Sequence, residues 1–150
     1  MDAREALIVI GMLERCGRVQ VVKGQADAWA LALSHIRVED AQAAVTSMIR
    51  DPAPASRWVI PNDVIAAVEV IRRERIRAVL DGSLPCPPPQ IDPDDVPAYQ
   101  AWRQSFMRAL GDGRTLHDAE TVACEAAGIP PVHRPVEVHR APEFRQIGGT

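Results

Sequence analysis

Histidine and cysteine side chains are the residues of this chain best suited to bind a metal ion. His117 and Cys124 stand seven positions apart and would share one face of a helix, with Cys86, His133 and His139 in the neighbouring sequence. Structural zinc sites normally contain close pairs such as Cys-x-x-Cys or His-x-x-x-His, and neither pattern occurs here. The sequence therefore predicts solvent-facing histidines, a partly buried Cys124 and no metal site.

A serine next to a histidine is the pattern closest to a nucleophile with its base. Ser34 and His35 are adjacent in the sequence, but nucleophilic catalysis depends on the spatial geometry of the two side chains rather than on neighbouring positions. The glycine-rich loops that bind phosphates or dinucleotides do not occur in the sequence. We therefore expect a protein that is not an enzyme and has no cofactor.

Arginine is concentrated in the segment RRERIR (72–77), and guanidinium groups suit the binding of phosphates. A nucleic-acid-binding face would contain Arg57, Arg72, Arg73 and Arg77. A solvated helix face is the simpler interpretation, because Glu69 lies one helical turn from Arg73 and can form an ion pair with it. The net charge of −3 also argues against a protein that coats nucleic acid with its whole surface.

An aromatic row follows the proline-rich stretch and lies on one predicted helix face, formed by Tyr99, Trp102, Phe106 and Leu110. One interpretation makes this row a partner-binding face that inserts into a groove of another protein. The other makes it a core face, which docks on the rest of the chain or pairs in a homodimer. Tryptophan and tyrosine are common both in cores and as interface anchors, so both interpretations stay open.

The elements that must position these residues are predicted to be helices, so the fold class is all-α. Asp2 and Thr115 are suited to cap helix starts, while Pro61 suits the first turn of a long helix that Gly82 would stop. The segment RVQVVK (18–23) is predicted as an extended connection. Apolar residues recur at helical spacing at 2–16, 25–36, 38 to about 50, 61 to about 81, 96–110 and 115–127.

Ten of the 13 prolines cluster at 85–97 and 130–142, and these clusters predict the domain organisation. Proline-rich stretches favour extended polyproline backbone rather than helix. We therefore expect an N-terminal four-helix domain at 1–83, a proline-rich linker at 84–97, a helical hairpin at 98–128 and a flexible tail at 129–150.

Several features predict a cytoplasmic protein. No apolar run approaches the roughly eighteen residues of a membrane span, and the first residues form an amphipathic pattern rather than a signal peptide. Three widely spaced cysteines, an odd number, fit reduced thiols. We expect no membrane partner.

Three segments together resemble the helicase loader and inhibitor family of double-stranded DNA phages. These are ADAWALAL (26–33), VEDAQAAVTSMI (38–49) and WVIPNDVIAAVEVIRRER (58–75), and the likeness covers about residues 2–80. The Ala- and Arg-rich style also resembles hypothetical proteins of actinobacterial phages and prophages. The motifs consist of helix-packing positions, so the likeness concerns architecture.

The resemblance implies an N-terminal helical domain in which Trp29, Trp58 and Pro61 are scaffold residues. It also implies that the region beyond the linker binds a DnaB-type hexameric replicative helicase. The expected function is that of a replication accessory protein, which assists loading of the helicase or inhibits it without ATPase activity. The alternative is a small DNA-binding or regulatory protein that uses its arginines on phosphates.

Overall fold

The computed structural model describes residues 1–50, 58–92, 94–130 and 138–139. The two-residue strands β1 (Leu84–Pro85) and β2 (Val138–His139) pair antiparallel, with Leu84 opposite His139. The all-α fold class predicted from the sequence is confirmed for the described residues. Their helices are α1 Ala3–Arg15, α2 Gln25–Ala32, α3 Val38–Arg50, α4 Pro61–Leu80, α5 Val96–Gly111 and α6 Leu116–Ala126.

The chain divides into two compact units, Met1–Ile71 and Arg72–Thr150, and this division falls within α4. The sequence predicts a domain boundary further along, at residue 83, just before the proline cluster at 85–97. The last turns of α4 belong to the second unit because Leu80 is buried in the same apolar cluster as Trp102 and Phe106.

The core of the first unit is built from α1, α2, α3 and the first turns of α4, and Trp29 is buried there as predicted. The start of α1 is a capping box. Asp2 Oδ1 accepts a hydrogen bond from the Glu5 N–H at 2.8 Å, and Glu5 Oε2 accepts one from the Asp2 N–H at 2.8 Å. The predicted cap at Asp2 is confirmed. The largest buried side chains of this core are Trp29, Ile10, Leu13, Leu33 and Ile36.

The end of α2 differs from the prediction. The helix stops at Ala32 rather than at residue 36, because the chain turns at Leu33, whose carbonyl accepts the Ile36 N–H at 2.9 Å. Leu33 and Ile36 are nevertheless buried. Their apolar spacing in the sequence therefore indicates burial, although both residues follow the end of the helix. The segment after α1 contains no strand at 18–23, as predicted, and the Val59 N–H donates to the Arg18 carbonyl at 2.8 Å.

Helix α4 begins at Pro61, as the sequence predicted. Asp63 Oδ2 accepts the Ile60 N–H at 3.0 Å, which fixes the entry of the chain into the first turn. The helix ends at Leu80, and two residues in the left-handed region follow, Asp81 at φ 46° and Gly82 at φ 75°. The predicted stop at Gly82 is therefore part of the observed end.

The second unit contains α5 and α6, which share one apolar cluster. Asp95 Oδ1 accepts the Ala98 N–H at 3.0 Å and Thr115 Oγ1 accepts the Asp118 N–H at 3.2 Å, so both helices start on side-chain caps. The proline-rich segment, predicted as a linker, buries Ile91 in the same cluster. Most of the predicted tail lies outside the described residues.

Candidate functional site

The aromatic row is mostly core. Trp102, Phe106 and Leu110 are buried in one cluster with Ala119 and Ala123 of α6, and the Trp102 and Phe106 rings stack with their centroids 5.1 Å apart. Tyr99 also belongs to the row and retains exposed surface. A partner could reach the three buried side chains only if α5 and α6 separated. In this structure the row therefore stabilises the second unit.

Two arginines of α4 hold the C-terminal end of α5. Arg72 Nη2 lies 2.9 Å from Asp112 Oδ1, and Arg75 Nη1 donates to the Gly111 carbonyl at 3.0 Å. Cationic donors stabilise the last carbonyls of a helix, which carry its partial negative charge. The two helices pack closely here, since a Cβ atom at Gly111 would lie 3.4 Å from the Arg72 Cβ, at van der Waals contact. Arg72, predicted to bind phosphate, thus has a structural partner.

Arginines also line a cleft of about 300 Å³ in the second unit. Arg73 and Arg77 lie one helical turn apart on α4, and Arg103 is contributed by α5. Ile76, Leu80, Pro85 and Met107 also line it and make its surface predominantly apolar. We call this feature the arginine cleft.

The charge of the arginine cleft is positive. Guanidinium groups remain ionised at physiological pH, and the described residues that line the cleft include no carboxylate. Arg73, Arg77 and Arg103 are all exposed. A segment that combined acidic and apolar side chains could pair with the arginines and cover the apolar surface at the same time.

The predicted arginine set is thus only partly assembled. Arg73 and Arg77 share the cleft, Arg72 pairs with Asp112, and Arg57 lies outside the described residues. Arg103 was not predicted. Its position directly after Trp102 is the signal in the sequence that could have indicated it. Consecutive residues of a helix lie on different faces, so the residue after a buried tryptophan faces away from it.

The first unit has a separate apolar cleft of about 270 Å³, lined by Val22, Trp29, Trp58 and Ile60 among others. Trp58 is 57% exposed, whereas Trp29 is 5% exposed. The scaffold role that the resemblance implied for Trp58 therefore needs correction: its ring lies at the surface, and the neighbouring Val59 is the buried residue.

In the part of the chain that the structure describes, no group of three or more His, Cys, Asp or Glu side chains could hold a metal ion. Within the same residues, every helix is too short or too polar to cross a membrane.

The chain matches no protein-family model, no curated protein sequence and no solved structure.

Proposed function

We propose that this chain is a non-catalytic accessory protein of phage or prophage DNA replication. It binds a DnaB-type hexameric replicative helicase and assists its loading or inhibits it. The choice of partner rests on the likeness of residues 2–80 to the phage helicase loader and inhibitor family. The choice of surface rests on the arginine cleft of the second unit.

The arginine cleft is the observation that carries the binding role. Protein interfaces are enriched in arginine, and their energetic centres combine charged anchors with apolar surface from which water is excluded. Arg77 and Arg103 come from different helices, yet both line the arginine cleft. Ile76 and Met107 line the same cleft with apolar side chains. The buried aromatic row supports this choice indirectly, because it leaves little of its own surface for a partner.

A second candidate is direct DNA binding by the arginine cleft. Exposed guanidinium groups in one depression favour it, since phosphate contacts are made by such groups. The apolar lining favours the protein partner instead, because single-stranded nucleic acid usually stacks its bases on aromatic side chains. The cleft lining that the structure describes contains arginine and aliphatic residues rather than aromatic ones.

Size-exclusion chromatography with light scattering tests the proposed partner. The full chain is run alone, with the DnaB-type helicase of an actinobacterial host, and with an unrelated hexameric ATPase as control. We expect a co-eluting complex with the replicative helicase only. Separate elution of both folded proteins over the whole concentration range would contradict the proposed function.

A salt titration with a single-stranded oligonucleotide tests the second candidate. Phosphate contacts release counterions, so DNA binding through three arginines must weaken steeply as the salt concentration rises. We expect no oligonucleotide binding at physiological salt. Tight, salt-dependent binding in the absence of a helicase complex would replace the proposed function with the DNA-binding one.

A further inference from the structure

The outward face of α5 carries an exposed stripe that continues beyond the arginine cleft. Val96, Gln100, Arg103 and Met107 recur at spacings of four, three and four, so they lie above one another along the helix. At the rise of an α-helix this stripe is about 16 Å long. Trp102 and Phe106, on a different face of α5, are buried.

Arg103 joins two depressions along this stripe. It lines the arginine cleft, and it also lines a second depression of about 420 Å³ with Val96, Tyr99 and Gln100. The two depressions therefore follow one another along α5 with Arg103 between them, and we call them together the α5 groove. Its length matches about three turns of a docked helix.

The two ends of the α5 groove carry opposite charge. Arg73 and Arg77 lie at the end near Met107. At the other end, the exposed carboxylates of Asp94 and Asp95 directly precede Val96 at the start of α5. A nucleic-acid strand along the groove would bring its phosphates toward these carboxylates, and like charges in contact are unfavourable.

We propose that the α5 groove binds an amphipathic helix of a partner protein, whose acidic side chains face Arg77 and Arg103 and whose apolar side chains cover Ile76 and Met107. Helix-in-groove recognition of this kind places apolar anchors at helical spacing. The inference rests on the proposed function, since the helicase would supply the helix. It adds the site and the chemistry of the segment that is recognised.

Fluorescence anisotropy with a defined probe tests the inference. The probe is a labelled peptide of about twelve residues with leucines at helical spacing. The positions between the leucines are glutamates in one half and glutamines in the other, so that no carboxylate has to approach Asp94 and Asp95. It is titrated with the full chain and with the Arg77→Glu/Arg103→Glu protein, which we call the charge-reversed variant. Arg114→Glu is the matched control, because Arg114 is exposed and belongs to the same unit but does not line the groove.

We expect the acidic peptide to bind the wild-type chain and the Arg114→Glu control alike. The charge-reversed variant should bind it at least about tenfold more weakly. A second peptide, with lysine in place of every glutamate, should show the opposite preference and bind the charge-reversed variant better than wild type. This gain of binding shows that the variant is folded, since an unfolded protein would lose both peptides.

Other occupants of the α5 groove would give different results. Preferential binding of a single-stranded oligonucleotide over the acidic peptide, lost in the charge-reversed variant, would overturn the inference. So would a wild-type dimer in light scattering that the charge-reversed variant cannot form, because a second copy would then fill the groove. Equal affinity of the wild-type chain and the charge-reversed variant for the acidic peptide would also overturn the inference.

Failure of the inference and failure of the proposed function are distinguishable. If the charge-reversed variant still co-elutes with the helicase while the acidic peptide does not bind, the inference fails and the helicase partner stands. If no helicase complex forms but the peptides exchange preference as expected, the helicase partner fails and the α5 groove stands.

Discussion

Arg72 Nη2 lies 2.9 Å from Asp112 Oδ1, and this pair joins the C-terminal part of α4 to the end of α5. Both side chains are about a quarter exposed, at 25% and 26%. The arginines of the segment 72–77 therefore have two different roles. Arg72 stabilises the second unit, whereas Arg73 and Arg77 line the arginine cleft.

Replacing Arg72 with alanine should destabilise the second unit by about 1 kcal/mol, since a partly buried ion pair is lost and Asp112 is left without this partner. Urea denaturation followed by far-ultraviolet circular dichroism measures the loss. Arg114→Ala, at an exposed position of the same unit, should change stability by less than about 0.5 kcal/mol. Equal stability of the two variants would show that the ion pair contributes nothing.

Phe106→Ala should lower the free energy of unfolding by about 3 to 5 kcal/mol, because it removes a fully buried ring and leaves a cavity. Tyr99→Ala should cost less, since Tyr99 is only half-buried. Denaturant unfolding of the two variants makes the comparison. If Phe106→Ala retained wild-type stability and lost only helicase binding, the aromatic row would be a partner surface after all.

The two tryptophans of the first unit should differ strongly. Trp29→Ala should destabilise this unit by about 3 to 5 kcal/mol, because its side chain is buried in the core. Trp58→Ala should cost about 1 kcal/mol or less, because the ring is 57% exposed. Iodide should correspondingly quench the Trp29→Phe protein, which keeps Trp58, more than the Trp58→Phe protein, which keeps Trp29. The buried Trp102 emits in both proteins and is shielded from iodide in both. Similar quenching would contradict the placement of the two rings.

Two threonines of α6 provide a matched test of its N-cap. Thr115→Ala should cost about 1 kcal/mol, since the Thr115 hydroxyl oxygen accepts the Asp118 N–H. Thr121 lies within the helix, and its hydroxyl donates to the His117 carbonyl at 3.1 Å. Thr121→Ala should be neutral or slightly stabilising, because alanine has the higher helix propensity. Thermal unfolding ranks the two variants, and the reverse order would contradict the cap assignment.

Local signals explain which parts of the fold could be predicted. Three helix-start residues act through backbone groups within three positions: the caps Asp2 and Thr115 and the first-turn Pro61. Their local sequence is therefore sufficient to predict where the helices begin. The end of α2 was missed because apolar spacing predicts burial, and Leu33 and Ile36 are buried outside the helix.

The candidate site depended on contacts between distant positions. Arg72 and Arg75 pair with residues 40 and 36 positions away, at Asp112 and Gly111. Helix periodicity alone cannot reveal such partners. The four arginines predicted to bind phosphate could therefore not be distinguished from the sequence. Arg103 was missed for the same reason, because only the packing of α5 against the end of α4 brings it to the arginine cleft.

The proposed function requires the arginine cleft to bind a replicative helicase. Isothermal titration calorimetry of the helicase with wild type, the charge-reversed variant and Arg114→Glu tests it most directly. We predict equal affinity for wild type and Arg114→Glu, and at least about tenfold weaker binding for the charge-reversed variant. Unchanged affinity of the charge-reversed variant would contradict the claim.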